Sequence, residues 1–181
     1  VDIAGLVAGA SKGEGLGNQF LATIRETDGI VNVVRCFEDD NVIHVAGKVD
    51  PLSDIATIVT ELALADLATV EKTQERNLKA VRAGDKDAAK LGELLPLVAA
   101  CLNEGKPART MKLDPAQRAL LKPLCLMTMK PVMYVANVSE KGFTNNPLLT
   151  RVEEYAAKEG APVVAICAAL ESEIAVLSDE E

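Results

Sequence analysis

Three short runs of β-branched and apolar residues constrain this chain more than any other feature. They are Gly29-Ile30-Val31-Asn32-Val33-Val34-Arg35-Cys36, Pro131-Val132-Met133-Tyr134-Val135-Ala136-Asn137-Val138 and Ala161-Pro162-Val163-Val164-Ala165-Ile166-Cys167. Each is bounded by turn signals and reads as a buried strand. Val1-Asp2-Ile3-Ala4-Gly5 reads as the end of one more. Helical spacing fills the intervals between them. Strands alternating with helices imply an α/β fold with a parallel sheet and right-handed crossovers. Ligands of such sheets bind at the carboxyl ends of the strands, so the polar residues after each strand are where function is to be sought.

The helical intervals have clear punctuation. Residues 18–27 suit a short helix with Phe20, Leu21 and Ile24 on one face. Asp50-Pro51 sets an N-cap and a first helical position for a long helix over 51–82. Gly84-Asp85 ends that helix and caps the next, which carries the stripe Ala88, Leu91, Leu95, Val98 and Leu102. Pro96 is expected to kink or break it. Two striped helices joined by a tight turn form an antiparallel hairpin ~40 Å long if straight. Its charge pairs, such as Glu71 with Glu75 and Arg76, read as a solvated face. Short helices are expected from Asp114-Pro115 and over 170–177, and a longer one over 147–159.

Composition narrows the function classes. Apolar residues are 49% of the chain but aromatics only 3%, with no Trp, so the core is aliphatic. Such a core suits helices packed on a parallel sheet. No apolar run reaches the ~18 residues of a membrane span. Four cysteines without close pairing suit reduced cytosolic thiols. A net charge of -8 argues against bulk electrostatic binding of nucleic acid by this chain alone. The chain starts at Val1 inside a strand-like stretch, without Met, and both ends are expected to be fragment ends.

Three motifs follow the strands in order. Asp2-Ile3-Ala4-Gly5 has the D-x-x-G spacing by which P-loop nucleotidases hold Mg²⁺, often through water, and reach a terminal phosphate. Asn137-Val138-Ser139-Glu140 pairs a side-chain amide with a carboxylate, able to read a purine edge. Cys167-Ala168-Ala169 offers small residues whose backbone can approach a base closely. Each alone matches an ordinary loop or simple packing; their order along the fold gives them weight. The phosphate-binding G-x-x-x-x-G-K-[ST] occurs nowhere.

The stretch "VDIAGLVAGASKGEGLGNQFLATIRETDGI", then "FEDDNVIHVAGKVDP", the hairpin and "YVANVSE" closely resemble the Obg-like ATPase family, the YchF group of translation-factor-related P-loop proteins. The resemblance runs along essentially the whole chain. It implies a G-domain-like parallel sheet of the P-loop NTPase class, incomplete at its N-terminal side, with an inserted antiparallel helical hairpin. The implied division is partial G domain over 1–50, hairpin and connecting helix over 51–130, and the rest of the G domain over 131–181. A strand is expected to be missing from the middle of the sheet, and 6–17 and 38–48 are expected to be the least ordered segments.

By the same resemblance, Asp2 and Gly5 are the D-x-x-G of switch II, Asp2 holding Mg²⁺ through water, and Val7–Gly17 is the switch itself. Ras-like enzymes place a water-orienting Gln directly after that Gly; Leu6 stands there and cannot orient water. His44, the only histidine, is then the candidate catalytic base. Asn137, Val138 and Glu140 take the base-reading positions, with Ala168 and Ala169 beside them. The GTPase motif N-K-x-D is here N-V-S-E. The longer Glu140 misplaces the carboxylate for guanine and the stacking Lys is absent, so ATP is favoured over GTP. The implied parent is a cytoplasmic, ribosome-associated ATP hydrolase, with nucleic acid a possible partner through other parts and no membrane partner. This chain alone is expected to bind nucleotide poorly. A second reading is a nucleotide-sensing module with negligible turnover and the hairpin as docking arm; a third, a plain helical scaffold, is opposed by the ordered motifs.

Overall fold

The computed structural model describes residues 17–39 and 48–177. The strand expected over 1–5, and with it the missing-strand and loop-order expectations, lie outside the described residues. Two compact units emerge: one from the described residues up to Asp28 together with Thr57–Pro131, the other from Gly29–Ala56 with the described residues after Val132.

The first unit is helical. Helix α1 runs over Gly17–Arg25 and buries Leu21 and Ile24, two of the three residues on its expected apolar face. The long helix α2, Pro51–Arg82, has 32 residues and so is about 48 Å long. It ends at Gly84, whose φ of +81° suits a residue without Cβ. Asp85 then caps α3, Lys86–Asn103, accepting from the N–H groups of Asp87 and Ala88. The expected antiparallel pair is thus built by its turn. Towards that turn, Asn77 Nδ2 donates to Ala88 O at 2.7 Å, and a Cβ at Gly92 would lie 3.3 Å from the same Nδ2, so the helices approach closely there.

Pro96 breaks nothing: α3 continues through it. A proline deletes one backbone bond. Here its neighbours Leu95 and Val98 are fully buried in a cluster with Ala63, Val70, Leu94, Leu102, Ala108, Leu121 and Leu126. Each such side chain contributes roughly 1.5–3 kcal/mol by leaving water, enough to outweigh one missing bond. Helix α4, Pro115–Leu121, starts with a capping box between Asp114 and Gln117.

A buried carboxylate ties the two ends of this unit together. Asp66 of α2 is 0% exposed. Its Oδ1 accepts the Met127 N–H at 2.9 Å, and Oδ2 accepts the Thr128 N–H and hydroxyl, both at 2.7 Å. The Thr128 oxygen in turn accepts the Ala108 N–H at 3.1 Å. Arg25 reaches the same stretch of α2, donating to Thr69 Oγ1.

The second unit is the sheet. Strands β1 (Ile30–Arg35), β2 (Val132–Asn137) and β3 (Val163–Ile166) are parallel in the order β1-β2-β3. Ile30 pairs with Val132 and Tyr134 with Val163. Helix α5, Pro147–Glu159, occupies the expected range, and α6, Ala168–Ile174, starts earlier and stops sooner than the expected 170–177. Tyr134, fully buried in β2, meets Tyr155 of α5 edge to face at 6.0 Å, and both hydroxyls donate to the Glu159 carboxylate. That contact fixes α5 against the sheet.

Candidate functional site

The parallel sheet puts the ends of all three strands on one edge, and a cleft of about 370 Å³ opens there. The ladder runs past each formal strand end: Cys36 N–H donates to Asn137 O at 2.7 Å and Val138 N–H to Ile166 O at 2.8 Å. The chain is thereby held rigid up to the point where each strand turns away. Phe37 and Asp39 line the cleft from β1, Asn137 to Lys141 from β2, and Cys167 and Ala169 from β3.

Asn137 is aimed by its partner. Its Oδ1 accepts the Ala168 N–H at 3.0 Å, which fixes the amide and directs its Nδ2 donors elsewhere. Val138 is 2% exposed and supplies an apolar surface to the cleft. Ser139, Glu140 and Lys141 are exposed and follow it in a tight turn closed by Gly142 N–H to Ser139 O at 2.8 Å. The site therefore has an apolar side at Val138, with an oriented amide and the exposed Glu140 carboxylate beside it. Such a combination can take a planar heterocycle and hydrogen-bond its edge.

The β1 side is held by Arg35. Its Nε donates to Phe37 O at 3.0 Å and its Nη2 to Asp39 O at 3.4 Å, while its guanidinium carbon lies 4.6 Å from the Phe37 ring centroid. Behind the cleft, burial first and the Asp54 charge second push the Cys36 thiol up to about 11, so it stays protonated at neutral pH.

Of the residues singled out in the sequence, Asn137, Val138, Glu140 and Ala169 line this one cleft. Ala168 joins them through its N–H, which Asn137 occupies. Asp2, Gly5 and His44 lie outside the described residues. Among the described residues, no group of three or more His, Cys, Asp or Glu could hold a metal ion, and no helix is long and apolar enough to cross a membrane. Cys167, foreseen with Ala168 and Ala169 at the end of its strand, also lines the cleft, whereas Phe37, Asp39 and Lys141 were not foreseen as lining residues. An aromatic directly after a buried strand, in a chain with only 3 Phe, was the available signal for Phe37.

The α/β fold, a three-stranded parallel sheet whose β1–β2 connection carries the helical hairpin, has a solved counterpart. The solved Schizosaccharomyces pombe YchF GTPase matches it with a TM-score of 0.79 and 32% identity, covering 92% of this chain and 47% of that one. No family model matches the chain. Among curated proteins, it is 58% identical over 181 residues to the ribosome-binding ATPase YchF of Haemophilus influenzae and 51% identical over 183 residues to that of Bacillus subtilis. The YchF of Escherichia coli O157:H7 is 57% identical over 182 residues. These alignments take in 99–100% of this chain and 50% of each relative, so the chain spans about half the length of the curated relatives it matches. The likeness to YchF proteins runs along essentially the whole of this chain.

Proposed function

We propose that the intact protein binds and hydrolyses ATP, takes GTP less well, and works on the ribosome in the cytoplasm. The observation that carries this reading is the cleft at the carboxyl ends of β1, β2 and β3. There an amide oriented by Ala168, an apolar Val138 and the Glu140 carboxylate stand together. The relatives' description as ribosome-binding ATPases supports the same reading. Adenine needs only the Asn137 amide and main-chain contacts; guanine needs a carboxylate aimed at two donors, and Glu140 carries one methylene more than the Asp that serves this in GTPases.

The catalytic part of the proposal rests on sequence. Asp2 would hold Mg²⁺, which would supply positive charge to the phosphates, and the Gly5 amide would serve the terminal phosphate. Leu6 leaves the attacking water without an orienting amide, so His44 takes its proton. The division into 1–50, 51–130 and 131–181 is proposed on the same footing; a docking role for the hairpin belongs to the nucleotide-sensing alternative.

Turnover of ATP and GTP by the full-length protein, with and without ribosomes, tests the reading. The expected result is ATP binding tighter than GTP and turnover that ribosomes raise. Absence of ATP binding overturns the proposal. Firm ATP binding with no turnover even on ribosomes replaces it with the nucleotide-sensing alternative.

A further inference from the structure

Asn146 uses its side chain for more than its position requires. It is the N-cap of α5, and Oδ1 accepts the N–H groups of Leu148 and Leu149 at 3.0 and 3.3 Å. Ser, Thr or Asp would do that equally well. Asn is the capping residue that also carries two donors, and both are used. One Nδ2 hydrogen bond goes to Cys36 O at 2.9 Å and the other to Gly142 O at 3.0 Å. Asn145, just before it, sits at φ +54°, a left-handed conformation rare outside glycine, and it turns the chain into this cap.

The two carbonyls belong to the two sides of the cleft. Cys36 directly precedes Phe37, and Gly142 closes the turn that presents Ser139, Glu140 and Lys141. We propose that Asn146 is a positioning residue for base recognition: its Nδ2 group sets the spacing between the Phe37 side and the Glu140 side without touching the ligand. Its ligand class is a purine nucleotide, adenine-bearing, and the inference rests on the base-site reading of the cleft. A planar base must fit between sides whose separation is defined to a few tenths of an ångström. A single amide bonded to both carbonyls fixes that separation, and a loop turn joined only through the ladder would leave the Glu140 carboxylate free to wander.

Asn146→Asp and Asn146→Ser both keep a capping oxygen and lose the two Nδ2 donors; the single Ser hydroxyl cannot bond both carbonyls at once. In the full-length protein, Kd is measured for ATP and for tripolyphosphate, which carries no base, with thermal unfolding followed in parallel. Both variants are expected to weaken ATP by about tenfold, as when the binding-competent spacing is held by only about a tenth of the molecules. Tripolyphosphate affinity is expected to be unchanged. ATP affinity within twofold of the wild type in both variants overturns the inference. So does equal weakening of ATP and tripolyphosphate, or loss of folding in both variants, since the bridge would then serve only the fold. A wild-type protein that binds ATP no better than tripolyphosphate overturns the base-site reading instead, and is told apart because it needs no variant.

Discussion

Removing the Asp66 carboxylate is expected to unfold the helical unit more readily than any single apolar truncation at its surface. In Asp66→Ala the Met127 and Thr128 N–H groups lose their acceptor in a site from which water is excluded. Each orphaned buried N–H costs about 1–3 kcal/mol. The Thr128 hydroxyl loses its acceptor as well. Against this, the variant no longer buries a charge, which returns part of the sum. The net expectation is a loss of about 3–4 kcal/mol. Thr128→Val removes the hydroxyl bond and orphans the Ala108 N–H, for about 2 kcal/mol. Because the two residues share a network, the double variant should fall short of additivity by about 1–2 kcal/mol. Urea unfolding followed by helical circular dichroism measures all three. Burial pushes the Asp66 carboxyl above its ordinary 3.8, against the pull of the Thr128 and Met127 donors and the Arg25 charge. The native state therefore takes up this proton at a higher pH than the unfolded chain, so the group's contribution is complete below 3.8 and is lost as pH rises through the raised folded value. The Asp66→Ala penalty should therefore be larger on the acid side of that change than on its alkaline side. A penalty under about 1 kcal/mol, or strict additivity with Thr128→Val, would refute the clasp as a source of stability.

Base choice follows from the cleft: Val138→Lys with Glu140→Asp in the full-length protein should shift preference towards GTP by about tenfold or more, read from competitive binding. Gly142→Ala would place a Cβ 3.0 Å from Ser139 Oγ and 3.1 Å from Ser139 N and O, and backbone cannot yield as a side-chain tip can; ATP affinity should drop with the overall fold intact by circular dichroism. His44→Ala should lower kcat by about 10²–10⁴-fold with ATP affinity little changed, measured by phosphate release. Cys36 is 1% exposed and protonated until about pH 11, so a thiol reagent at pH 8 should label exposed Cys125 quickly and Cys36 only on unfolding. The raised Cys36 value also predicts that its share of stability is complete below pH 9 and is lost as pH climbs towards 11, a slope that Cys36→Ala should lack.

What the sequence revealed and what it hid divide along chain separation. Asp50-Pro51, Gly84-Asp85, Asp114-Pro115 and the limits of α5 are read correctly because a cap is a contact among neighbours. The strand-end residues Asn137, Val138, Glu140 and Ala169 come together because a parallel sheet gathers strand ends by its geometry alone. The bond of Asp66 to Thr128 spans 62 residues, and that of Asn146 to Cys36 spans 110; no local pattern announces either. Pro96 shows the opposite failure. Its local rule is sound, but burial of Leu95 and Val98 on either side overrides it.

The pairing of Ile30 with Val132 has a consequence in time. During synthesis at roughly 5–20 residues per second, β1 leaves the ribosome about 5–20 s before its partner strand exists. The individual helices between them need no such wait, since helical hydrogen bonds are local and form in well under a second, and the Asp66–Thr128 clasp closes 62 residues rather than about 100. The excursion can therefore fold first, shortening the flexible loop that β1 and β2 must close. Until then β1, with Val31 and Val33 more than half exposed even in the finished sheet, is a bare apolar strand on a nascent chain. The interval in which a chaperone or another nascent chain can capture it is set by the length of the hairpin, so lengthening that hairpin would slow maturation without touching a single contact of the sheet.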